Sequence, residues 1–203
     1  MPNFIFYLAG TVVWGYFAIC ITTTSNTFVT NAGIFSKVYF PRLAIPIANV
    51  IISLLQFLIQ FVIFIIFLLY FIFQESNIEP NLFVFILPLL LLQMAILGLG
   101  VGMMISALTA KYRDLTFAMT FGVQLLMFAS PVVYPFSIIP DNYKFLASLN
   151  PMTSIIEMFR YAFLGVSSIE SQYIFNSVIV TIILFFIGIT LFSKVEKNFM
   201  DTV

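Results

Sequence analysis

The sequence has no histidine, one cysteine and few charges: eight Lys and Arg against eight Asp and Glu, together 8% of 203 residues. A soluble domain carries about 25% charged residues, so this chain cannot clothe a water-facing surface, and its main solvent must be lipid. Zero net charge argues against nucleic-acid binding, and the lack of histidine removes His-ligated metal sites. Cys20 can close no internal disulfide and reads as a small apolar residue in a helix. No positively charged leader with a small-residue cleavage site opens the chain, so the first apolar stretch does not read as a secretory signal. Nothing alternates with period two as barrel strands would. Without internal repeats or low-complexity linkers, residues 1–203 read as one membrane domain.

Apolar residues are abundant: 62% of the chain is hydrophobic and 26 residues are Phe. A hydrocarbon core about 30 Å thick takes roughly 20 apolar residues per helix. Five stretches approach or exceed that, at residues 4–21, 43–73, 82–108, 115–134 and 173–193. The expected fold is an all-α integral membrane protein with about five transmembrane helices. Counting Lys and Arg with the N-terminus outside puts Lys37, Arg42, Lys111, Arg113, Lys194 and Lys197 inside. Lys144 and Arg160 remain outside, a positive-inside ratio of six to two.

Residues 22–37, "TTTSNTFVTNAGIFSK", are too polar to span and too apolar for a free loop. Ser25 or Asn26 is placed to cap a short helix carrying Phe28, Val29 and Ile34. Such a helix would lie across the cytoplasmic face, offering its polar side to a partner. Pro41 and Pro46 help fix where the next helix starts. Lys37 and Arg42 are expected at that surface, within reach of headgroups or a partner protein, or as plain topology anchors.

Within the second span, Arg42, Pro46, Asn49, Ser53, Gln56 and Gln60 recur at spacings of four, three, four, three and four. This is one face of a helix. Neutral polar groups inside lipid must face protein or a wet cavity. Two readings stand side by side: interhelical hydrogen bonds of roughly 0.6–2 kcal/mol each, or the wall of a polar conduit. Gly98, Gly102 and Ser106, four apart, form a row that admits a close helix neighbour.

The connection from about 135 to 172 holds charge and proline together. Pro131, Pro135 and Pro140 should break the fourth helix near the outer leaflet. "NPMTSIIEMFRYAFLG" reads as a short helix with Asn150 as cap, Pro151 at its first position and Gly165 just past its end. Fourteen residues span only about 21 Å, too little to cross, and Glu157 and Arg160 at i, i+3 can pair with each other or across a subunit boundary. A re-entrant helical hairpin at the outer face, placed as a lid, is expected.

In order along the chain, "NAGIFSKVYFPRLAIP", "MISALTAKYRDLTFAM", "FASPVVYP", "LNPMTSIIEMFRYAFLG" and "SKVEKNFMDTV" resemble the permease subunits of ABC type-2 polysaccharide exporters. These bacterial inner-membrane proteins export O-antigen, teichoic acid and similar glycans. That family has an interfacial helix and one further span at its N-terminus. The resemblance thus implies a truncated gene, a misplaced start codon or a neighbouring reading frame holding the missing piece. It also implies that Asn26, Phe28, Asn31, Ile34 and Lys37, with Arg42 beside them, form a coupling helix docking on a separate ATPase. Lys111, Arg113 and Asp114 would lie at the same cytoplasmic side. Pro131, Tyr134, Pro135, Asn150, Pro151, Glu157 and Arg160 would belong to the outer gate.

No Gly-rich phosphate loop ending in Gly-Lys-Ser or Gly-Lys-Thr occurs, so ATP and magnesium are expected on the ATPase chain and no cofactor on this one. Too few helices are present to enclose a glycan, so a homodimer with two ATPases is implied. A lipid-linked glycan needs many weak partners and no fixed charge, which makes Asn49, Ser53, Gln56, Gln60 and Gln124 candidates for its path. Two other readings compete: the same fold exporting a drug or lipid, and a membrane-embedded enzyme. The enzyme reading finds only Glu157 with Arg160 near the membrane, and no His or Asp-rich motif to join them.

Overall fold

The computed structural model describes residues 2–31, 33, 41–74, 78–112, 114–166 and 171–200. The protein is an all-α integral membrane protein. Its helices are α1 (Asn3–Ser25), α2 (Thr27–Thr30), α3 (Ala44–Phe73), α4 (Leu87–Lys111), α5 (Leu115–Ala129), α6 (Asp141–Ser148), α7 (Pro151–Leu164) and α8 (Ser171–Met200). A 3-10 turn, Leu82–Ile86, leads directly into α4. Among the described residues, four helical segments are long and apolar enough to cross a membrane: Asn3–Ser25, Ala44–Phe73, Leu82–Lys111 and Ser171–Glu196.

The stretch 115–134 does not form a helix of spanning length. α5 has 15 residues, about 22 Å at 1.5 Å each, and stops at Ala129. Pro131 forces the residue before it out of the helical region, and Ser130 is extended at φ −104°, ψ 149°. Prolines elsewhere sit where they cost little. Pro46 and Pro88 fall in the first turns of α3 and α4, where proline's fixed φ suits the start of a helix.

α1 and α4 form the middle of the bundle. α3 packs on one side of α1, α8 on the far side of α4, and α5 leans on α1 and α4. α1 buries Trp14, Tyr16, Phe17 and Ile21, whereas α3 keeps Ile51, Ile52, Leu55, Ile59 and Ile66 largely exposed, as a helix facing lipid does. The Gly98–Gly102 row meets α1 closely. A Cβ at Gly98 would lie 2.6 Å from Cys20 Cβ, and one at Gly102 would lie 2.5 Å from Thr24 Cβ. Further along the same row, beside buried Ser106, Thr109 donates its hydroxyl to the Ser25 carbonyl at 2.9 Å.

α7 lies across one end of the bundle, against the starts of α1 and α8 and the second half of α3. Phe61 and Phe64 of α3 meet Phe159 and Phe163 at centroid distances of 5.3–6.3 Å. The opposite end carries the α1–α2 junction, the start of α3 and the ends of α4 and α8. The hairpin and the basic end of the bundle are therefore on opposite sides.

Candidate functional site

Local chemistry shapes the hairpin of α6 and α7. Asn150 caps α7, its Oδ1 accepting from the Met152 N–H at 3.1 Å, and its Nδ2 donates to Ser130 Oγ at 2.7 Å. Pro151 opens the helix and Gly165 ends it at φ 69°, a left-handed conformation that costs glycine no steric penalty. α7 is buried along most of its length. Ser177 donates to the Pro151 carbonyl and Ser154 to the Tyr173 carbonyl, both at 3.0 Å, and these bonds fasten it to α8. Asn81 holds its far end, donating its backbone N–H to Ala162 O at 2.9 Å and its amide to Tyr161 O at 3.2 Å.

Arg160 is wholly buried, at 0% exposure. Nη1 donates to Pro131 O at 2.6 Å and to Glu157 Oε1 at 3.1 Å, with Tyr134 O at the limit of reach, 3.5 Å. Nη2 donates to Val132 O at 2.6 Å and Phe6 O at 3.4 Å. The Phe6 ring lies 3.6 Å from the guanidinium carbon, a cation–π contact. Burial lowers the guanidinium's pKa from its ordinary value, and the Glu157 carboxylate beside it opposes the drop. The proline break after α5 frees carbonyls that no helix satisfies, and the planar donor fork of one arginine collects them. Pro131, Tyr134, Asn150, Pro151, Glu157 and Arg160 thus converge, and Pro135 lies half-buried next to them.

At the other end the residues expected to face a partner divide. α1 runs to Ser25, and α2 has only four residues. Neither Ser25 nor Asn26 caps α2: the Ser25 hydroxyl and the Asn26 amide both donate back to Thr22 O, at 2.9 and 3.1 Å. Phe28 is 2% exposed and stacks on Phe192 of α8 at 4.6 Å, so it lies inside the fold rather than on a docking face. Arg42 is also turned in, with Nη1 donating to Glu196 O at 3.2 Å. Lys111 and Asp114 are exposed. Asn31 donates its amide to Thr27 O at 3.0 Å and borders a crevice of about 420 Å³, shared with Thr22, Thr23, Asn26 and Asn49. Ile34, Lys37 and Arg113 lie outside the described residues.

The polar stripe of α3 is split in the same way. Asn49 donates to Thr23 O at 3.2 Å, Ser53 to Asn49 O at 2.8 Å, and the Gln60 amide packs against Gly15 of α1. Gln56 is exposed, and so is Gln124 on α5. The single chain does not bring these two to the stripe's inward part. Several residues of the hairpin end were missed in the sequence. Phe6 and Gly10, one turn apart on α1, make room for Arg160: a Cβ at Gly10 would lie 2.7 Å from Nη2. Gln93 donates to Ser177 Oγ at 2.8 Å. A lone Gln in α4, with Ser177 and Thr181 at i, i+4 in apolar α8, was the available signal.

A multi-pass membrane protein with a charged, buried hairpin at one end and a basic end opposite has the makings of a transport subunit. The comparisons give its class: the family model "ABC-2 type transporter" matches residues 1–164, and the chain belongs to that family. It is 29% identical over 202 residues to an O-antigen export system permease protein RfbA of Klebsiella pneumoniae, covering 99% of this chain and 76% of that protein. An RfbA of Myxococcus xanthus is 21% identical over 206 residues, 100% of this chain and 77% of the relative. The inner membrane transport permease YadH of Escherichia coli K12 is 27% identical over 86 residues, 42% of this chain and 34% of YadH.

Proposed function

We propose that the chain is the permease subunit of an ATP-driven exporter that moves a lipid-linked polysaccharide, O-antigen or a chemically similar glycan, across the bacterial inner membrane. One observation carries this reading: the likeness to O-antigen export permeases extends over 99% of the chain, against 42% for YadH. ATP hydrolysis belongs to a separate cytoplasmic ATPase, with two permease copies forming the path. Glycan hydroxyls need weak neutral partners, which Asn49, Gln56 and Gln124 supply, while Ser53 is buried and Gln60 is packed on Gly15. A fixed charge in the path would hold the carrier's diphosphate, so Arg160 and Glu157 act as structure, locked together away from the cargo. The deciding experiment co-expresses the chain with the ATPase of an O-antigen exporter in a strain whose own O-antigen permease is deleted. Surface glycan detected by immunoblot is expected. Export of a hydrophobic drug with no surface glycan would overturn the glycan reading.

Two further results follow from this arrangement. With the basic end inside, a cysteine at exposed Asn142 should react with an impermeant thiol reagent added to sealed cells, and one at exposed Tyr112 should not. The reverse labelling would invert the orientation. For the ATPase contact, Lys111→Glu with Asp114→Lys should weaken ATPase co-purification by about tenfold, the effect of ~1.4 kcal/mol, at unchanged membrane abundance. Unchanged co-purification would remove this turn from the contact. Phe28→Asp is a poor test of docking, because its ring is packed against Phe192 and the change would disturb folding first.

A further inference from the structure

A cavity of about 560 Å³ opens beneath α6, between α5 and α8. Its inner wall is Phe17, Val101 and Leu184, midway along spanning helices, and its outer wall is Leu126, Ala129 and Leu146. Among the described residues, none of its lining side chains is charged. The only polar ones are Tyr134, Tyr143 and Asn150, all at the hairpin end, and the Asn150 amide is already committed to Met152 N–H and Ser130 Oγ. The volume lies within the roughly 300–1,000 Å³ typical of small-molecule sites. We propose that this cavity is a binding site for one acyl chain of a bilayer phospholipid, with the headgroup at Tyr134 and Tyr143.

Three observations choose this occupant. The groove is open to the surroundings of the spanning helices, since Leu126, Ala129 and Leu146 on its outer wall are exposed. Water does not fill it, because an apolar cavity offers water none of the two to four polar partners it requires. The medium around the spanning helices is hydrocarbon, present at the cavity mouth at the highest concentration of any ligand. The rim decides between lipids: two neutral phenols suit a zwitterionic headgroup, while a polyprenyl diphosphate would find no countercharge in the lining. A chain seated here would prop α5 away from α8 and support α6 from below, so bound lipid would set the position of the hairpin.

The test uses the full chain in nanodiscs of phosphatidylethanolamine and phosphatidylglycerol, doped with a phospholipid carrying a diazirine midway along one acyl chain. After irradiation, peptides are mapped by mass spectrometry. Labels on Val101 and Leu184 are expected in addition to those on lipid-facing Ile52 and Ile59. Ala129→Trp, which fills the cavity, should cut labelling at Val101 and Leu184 by about tenfold and leave that at Ile52 and Ile59 unchanged. Competition covers the case in which the variant fails to fold: polyprenyl phosphate replacing part of the unlabelled phospholipid should leave labelling of the wild-type inner wall unchanged relative to Ile52 and Ile59. An unlabelled inner wall, as a second copy covering the groove would produce, overturns the proposal. Preferential displacement by polyprenyl phosphate, or labelling at Val101 and Leu184 that Ala129→Trp leaves unchanged, overturns it as well.

Discussion

Arg160→Ala should produce the largest loss of stability of any substitution at the hairpin. It removes the guanidinium from beside the buried Glu157 carboxylate and strips the carbonyls of Pro131 and Val132 of its donors, each held at 2.6 Å. Removing one member of a buried pair costs about 3–5 kcal/mol, a large part of the roughly 5–15 kcal/mol that holds a protein folded. The expected outcome is a strongly lowered melting temperature in nanodiscs and a reduced amount in the membrane. Arg160→Lys keeps the charge but loses the planar fork that reaches two carbonyls at once, so it should fall between. The double change Glu157→Gln with Arg160→Met removes both charges and should be milder than Arg160→Ala alone. Equal stability of Arg160→Ala and wild type would show that the guanidinium holds nothing together.

The contrast between what could and could not be read in the sequence lies in distance along the chain. The cap, first residue and stop of α7 were legible because Asn150, Pro151 and Gly165 act on their immediate neighbours. The end of α5 was foreshadowed by Pro131, though the sequence suggested a helix five residues longer. Arg160's partners were not legible: Pro131, Val132 and Phe6 lie 29, 28 and 154 residues away, and periodicity names a face without naming what covers it. The α3 stripe is split for a related reason. Gln56 sits at its edge, and Phe57, about 100° further round the helix, takes the buried position at 1% exposure. Phe28 was placed in a docking helix by the family resemblance, not by a local pattern. Its burial depends on Phe192, which no local pattern links to it.

Gly188→Ala is expected to be as damaging as a core truncation, although it adds a single methyl group. α4 is small on two sides: Gly98 and Gly102 face α1, and Gly100, between them in sequence, faces α8. α4 and α8 form the most extensive helix contact in the bundle. A Cβ at Gly188 would press into the backbone of Gly100, its carbonyl oxygen, carbonyl carbon and Cα. One at Gly100 would come within 2.7 Å of Phe185 Cα. Backbone cannot rotate aside as a side chain can, so the helices must separate. Overpacking costs about 1–3 kcal/mol where side chains can adjust, and this position belongs at or above the top of that range. Against it stands a gain of only about 1 kcal/mol from replacing glycine by alanine inside a helix. Gly122→Ala on α5 isolates that gain, because a Cβ there meets nothing within 4 Å. In nanodisc melting experiments Gly122→Ala should match or exceed wild type, and Gly188→Ala should melt well below it. Gly100→Ala should resemble Gly188→Ala, and the pair should cost less than the sum of the two, since either one already parts the helices. If Gly188→Ala melts with Gly122→Ala, the close approach of α4 and α8 is not what holds the middle of the bundle together.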